Sequence, residues 1–143
     1  MMQIPPITHM GYPVGHCWYY LLGGKVLSPK QIRQKTLDSG YQGYAAEDIA
    51  LADRKAEPQR SSALRQLRAK FEADLQQDIS RYRQCVLALH RYRKVSPITG
   101  RPTCAEDVHV NLSLKYAHLV NNFAHLATID NLLNRQGDLF GDL

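Results

Sequence analysis

The sequence predicts a mainly α protein, an antiparallel hairpin of two long helices with shorter N-terminal helices packed across it. Three observations lead there. Between residues 104 and 135, apolar side chains recur at Leu112, Tyr116, Leu119, Phe123, Leu126, Ile129 and Leu133, in steps of three and four that share one helix face. Between 59 and 95, Leu64, Leu67, Phe71, Leu75, Ile79, Tyr82, Val86 and Leu89 keep the same period. At about 1.5 Å per residue that helix would be roughly 50 Å long. The connection over residues 96–102, Ser-Pro-Ile-Thr-Gly-Arg-Pro, is short and stiffened by two prolines and a glycine, so the two helices must run antiparallel.

Each element has its own signals. Pro5, Pro6 and Pro13 deny residues 1–12 a helix and predict an extended arm, with Ile4 and Ile7 lying on the core. The run around Cys17, Trp18, Tyr19 and Leu21 predicts a short buried helix over 14–22, stopped by Gly23 and Gly24. A strand is the alternative there, because aromatic residues suit one equally. Ser28, Pro29 and Gln31 form a capping box with proline in the first turn, opening a helix that should end near Ser39 with Gly40 beyond it. A linker over 41–44 leads to a third helix over 45–57, closed by Pro58. These two short helices resemble a helix-turn-helix in outline, but the second lacks the length and apolar spacing that motif needs. The long helix over 59–95 closes on Arg91, Arg93 and Lys94, which suits its dipole. For the last helix, Thr103 is the expected cap and Glu106 its reciprocal partner, while Arg135 and Gly137 mark the end. Val108, Val110, Leu112, Leu114 and Tyr116 alternate with a strand's period, yet the cap and the pattern beyond Tyr116 favour helix. Residues 1–135 thus read as a single helical domain and 136–143 as a peptide tail.

Length and composition limit the possible functions. A chain of 143 residues supports one ordinary core, and 44% apolar with 22% charged residues is a globular balance. No run approaches the roughly 20 apolar residues of a membrane span, and the opening Met-Met-Gln-Ile-Pro-Pro has no secretory pattern. Cys17, Cys85 and Cys104, odd in number and without paired spacing, are expected to be buried free thiols in a reducing cytoplasm.

No catalytic constellation assembles, so an enzyme is not expected, nor a cofactor. Gly24-Lys25 lacks both the earlier glycine and the following Ser or Thr of a phosphate loop. His118 and His125 stand seven residues apart, whereas a helical zinc pair uses three or four, so no metal site is expected. Glu47, Asp48 and Asp53 read as the solvated face of a short helix rather than an acid–base site.

Charge is unevenly distributed. Residues 58–103 carry ten Lys and Arg against three Asp and Glu, whereas residues 104–143 carry two against five. Arg65, Arg68, Arg81, Arg83, Arg91, Arg93 and Lys94, with Tyr82 and Tyr92 among them, are candidate contacts for DNA or RNA phosphates and bases. A solvated helix face is the plainer reading of the same residues.

The most informative string comes last: Gln136, Gly137, Asp138, Leu139, Phe140. It resembles the pentapeptide with which bacterial polymerases and repair proteins hold the replication sliding clamp: glutamine first, serine or aspartate third, then leucine and phenylalanine. Gln136, Asp138, Leu139 and Phe140 match the defining places, and Gly137 stands where that family often has leucine. The resemblance implies a small accessory or inhibitor protein that docks on the bacterial sliding clamp in replication, repair, or interference by a phage or mobile element. Two other readings leave the tail packed on the hairpin. One is a nucleic-acid-binding adaptor, and the other an interaction module that forms a homo-oligomer through the hairpin.

Overall fold

The computed structural model describes residues 25–91 and 106–141, with Ile7, Gly11 and positions 94–95, 97–98 and 102–103; side chains are described only outside 94–95, 102–109 and 136–141. The expected helix over 14–22, Ile4, Cys17 and Cys104 lie outside the described residues. Helix α1 spans Pro29–Ser39 and begins for the reason visible in its sequence. Ser28 Oγ accepts the Gln31 N–H at 3.2 Å, and Gln31 Oε1 accepts the Ser28 N–H at 2.9 Å. It ends at Gly40, whose φ of 72° is the left-handed conformation that glycine adopts freely. Ile32 and Thr36 are its buried face.

Helix α2, Ala46–Asp53, ends four residues earlier than expected. Its buried positions, Ile49 and Ala52, run out there, and residues 54–59 are all exposed, so nothing packs a further turn. Helix α3, Gln59–Arg91, follows, burying Leu64, Phe71, Leu75, Tyr82 and Leu89. It stops short of Val95 because Lys94–Val95 forms strand β1, paired antiparallel with strand β2, Pro102–Thr103. Thr103 therefore belongs to a two-stranded link rather than to a helix cap, and the last helix, α4, begins at Glu106. The alternation over 108–116 is helical: Val110 is exposed while Leu112, Tyr116 and Leu119 are buried.

The long helices form the expected antiparallel pair. Arg60 reaches Leu132, Arg68 reaches Asp130 and Asp78 reaches Asn122, so position falls along α4 as it rises along α3. Helix α4 is more than an amphipathic partner. Every residue of 119–126 is buried, because α1, α2 and α3 all pack against it. Gly11 lies on it as well: a Cβ there would come within 3.1–3.3 Å of Asn121, Ala117 and Val120. Ile7 is half-buried on the same core, as the arm reading requires. Tyr82 Oη donates to the Leu27 carbonyl at 2.6 Å, tying the approach to α1 onto α3. Cys85 is half-buried rather than buried, and desolvation raises its thiol pKa. No helix among the described residues is long and apolar enough to cross a membrane.

Candidate interaction surfaces

The basic excess of α3 is spread around the helix. At about 100° per residue, Arg65 and Arg83 share one flank, Arg81 the opposite flank, and Arg91 the back. All four are exposed. Glu72 falls on the flank of Arg65 and Asp74 on that of Arg81, so acids interrupt both rows. Arg68 is paired, its Nε 2.7 Å from Asp130 Oδ1 across the helix interface. Arg93 lies outside the described residues, and of Lys94 only the backbone, in β1, is described. Arg60, another member of the basic run, is structural. Its guanidinium contacts Asp53 at 2.7 Å, Glu57 at 3.4 Å and the Leu132 carbonyl at 3.1 Å, joining α2, α3 and α4.

A second feature was not visible as a site in the sequence. Asp78, Asn121 and Asn122 are buried polar residues in the α3–α4 interface. Asn122 Nδ2 donates to Asp78 Oδ2 at 2.6 Å, and Asp78 Oδ1 stands 4.0 Å from His118 Nδ1. Asn121 accepts from the Tyr41 hydroxyl at 2.7 Å and donates to the Ala117 carbonyl at 2.9 Å. With Tyr44, Asp74 and Arg81 these groups line a cleft of about 230 Å³. Its lining brings carboxylates, an imidazole and a guanidinium together, with no serine, threonine, cysteine or lysine among the described residues there. Among the described residues, no three His, Cys, Asp or Glu side chains converge as a metal would require.

His125 is separate from this cleft in role. It is fully buried, and its Nε2 accepts the Ala45 N–H at 3.1 Å, which places the imidazole proton on Nδ1. Nδ1 has no hydrogen-bond partner among the described residues. The ring meets Tyr44 edge-on at 4.7 Å and Phe71 at 4.4 Å between centroids. Burial pulls its pKa down to about 4. At Gly43, with φ of 88°, a side chain would collide with this ring. The histidine is thus a neutral peg that holds the α1–α2 linker against α4. Two asparagines and a histidine inside the apolar stripe of α4 were the signal in the sequence.

The clamp-like pentapeptide sits at the far end of α4, which spans Glu106–Gly141, so its backbone continues the helix past Arg135. The side chains of Gln136, Asp138, Leu139 and Phe140 lie outside the described residues. Asp53, the last residue of α2, pairs with Arg60 and stands 4.0 Å from Arg135, and Arg60, in the first turn of α3, donates to the Leu132 carbonyl. Helices α2 and α3 both end at this level, and α4 continues for six residues more, roughly 9 Å. No family model, curated protein or solved structure matches the chain.

Proposed function

We propose that the protein is a small helical accessory or inhibitor protein that docks on the bacterial replication sliding clamp through Gln136, Asp138, Leu139 and Phe140. The observation that carries this reading is the sequence match itself, Gln136, Asp138, Leu139 and Phe140 at the end of the last helix. Burial of the Leu139 and Phe140 side chains in a partner's pocket contributes on the order of 3–6 kcal/mol, reduced by the cost of ordering them. The upper end of that range, with hydrogen bonds from Gln136 and Asp138 at about 0.5–1.5 kcal/mol each, reaches the roughly 8 kcal/mol of micromolar, reversible association. An extended pentapeptide also requires the last turns of α4 to unwind. Those turns lack a basic residue to balance the dipole and contain Gly137, and both features disfavour helix. Contact with nucleic acid would fall to the exposed Arg65, Arg81, Arg83 and Arg91, an accessory and salt-sensitive term.

The test titrates the full chain onto immobilised bacterial sliding clamp. Binding near micromolar strength that disappears when Leu139 and Phe140 are both changed to alanine supports the reading; no binding, or binding unchanged by that double substitution, ends it. Gly137→Ala then reports the unwinding. If the helix must open first, alanine weakens binding about fivefold, because it favours helix by about 1 kcal/mol. If the segment is already open, the same change strengthens binding slightly by stiffening the free chain.

A further inference from the structure

At the opposite end of α3 from the tail lies an apolar groove. Val26, Leu27 and Pro29 form one wall, Tyr82, Val86 and Leu87 the other, and Arg83 stands at its edge. Its volume of about 440 Å³ can take two large apolar side chains. Leu87 is 70% exposed there, a large apolar side chain left in water. The wall stretches are basic: residues 25–31 and 82–87 hold Lys25, Lys30 and Arg83 and no Asp or Glu. Lys25 and Lys30, neighbours of the wall residues in sequence, are exposed, as is Arg83. The groove therefore suits an apolar segment that carries negative charge, and its apolar floor fits protein better than nucleic acid.

This chain contains such a segment. Residues 136–143 include Leu139, Phe140 and Leu143 with Asp138 and Asp142, and no Lys or Arg. They cannot fill the groove of their own molecule. The segment begins after Arg135, which stands near Asp53 and Arg60, about 24 residues along α3 from the groove, or roughly 35 Å. Eight fully extended residues span at most about 28 Å.

We infer that the groove receives residues 136–143 of a second copy of this chain. Two copies lying side by side with their α3–α4 pairs reversed bring each segment to the other's groove, so the contact closes as a two-fold dimer. Dimerisation would then cover the same pentapeptide that the proposed clamp contact uses. The inference itself needs only the groove and the segment, and stands whether or not the clamp is bound.

The experiment is complementation, read by light scattering and sedimentation of full-length chains at low and high salt. The unaltered protein should associate with rising concentration, less so at high salt. Leu87→Asp, which spoils the groove, and a chain ending at Arg135, which lacks the segment, should each remain monomeric alone. Mixed, they should form a heterodimer, since one supplies an intact segment and the other an intact groove. Arg83→Glu should abolish self-association, and Asp138→Arg in the same chain should restore it. An unaltered chain that is monomeric throughout overturns the inference. So does self-association by either single variant, or a mixture that stays monomeric. A groove serving a small apolar ligand gives the first of these results, and a dimer formed through another face gives the second.

Discussion

Acid should weaken this fold through one histidine, and the size of the effect follows from its surroundings. His125 is fully buried, offers Nε2 to the Ala45 N–H and has a pKa pulled down to about 4. In the unfolded chain the same group titrates at about 6.5. The depressed value means that the unfolded state takes up the proton first. The contribution to stability is therefore complete above pH 6.5, declines as pH falls below it, and levels off beneath pH 4. By pH 4.5 the loss is roughly 2–3 kcal/mol, most of a full span of about 3 kcal/mol. His125→Gln is the control, because a glutamine oxygen can accept from Ala45 without titrating. Urea denaturation at intervals from pH 7.5 to 4.5 should give the unaltered protein a falling stability and the variant a flatter curve, the difference reaching roughly 2–3 kcal/mol. The carboxylates contribute equally to both curves and cancel in the difference. Parallel curves would refute the neutral-peg account of His125.

The other expectations concern glycines, ion pairs and the basic helix. Gly40→Ala should cost about 1–2 kcal/mol, since its φ is 72° but its surroundings are open. Gly43→Ala should cost more, because the new Cβ meets the His125 ring; equal losses in thermal melts would contradict that packing. Arg60→Ala should destabilise by about 2 kcal/mol, because its side chain is only 13% exposed and serves three helices. Arg68→Ala, at 41% exposure, should cost at most about 1 kcal/mol, and the reverse order in urea titrations would overturn the distinction. Because Arg65, Arg81, Arg83 and Arg91 face three directions, duplex DNA can meet only two or three at once. Any binding in gel-shift titrations should show a log–log salt slope of roughly −2 to −3, and a slope near −6 would reveal a continuous basic face.

The long helices were legible because their information is local and repeated. Leu64, Phe71, Leu75 and Tyr82 repeat at helical spacing on α3, and Leu112, Tyr116, Leu119 and Phe123 do so on α4. The first helix was legible to the residue, since a capping box and a left-handed glycine are chemical events at its two ends. Ends set by distant packing were less visible. Helix α2 stops at Asp53 because its buried face stops there, and β1 and β2 take Lys94, Val95, Pro102 and Thr103 into a pairing across the turn. The central role of α4 was hidden for a similar reason. A period of three and four marks the strongest apolar stripe, but not whether further helices cover the remaining faces, as they do over 119–126.

The candidate surfaces divide along the same line. A pentapeptide recognised in extended form is specified by adjacent residues, so Gln136, Asp138, Leu139 and Phe140 can be read from the sequence alone. A charged surface is specified by direction, which net charge does not give. Residues 58–103 hold a large basic excess, yet folding turns Arg60 inward, pairs Arg68 and separates Arg81 from Arg83. The apolar groove is less visible still, because Val26 and Leu87 lie 61 residues apart and Leu87 only completes the expected helix. Its exposure has meaning because Pro29 and Val26 stand opposite it and no acid lies in either wall stretch. One end of the α3–α4 pair thus presents an acidic apolar segment and the other a basic apolar groove. A single molecule cannot join these two ends, whereas a reversed pair of molecules joins both at once.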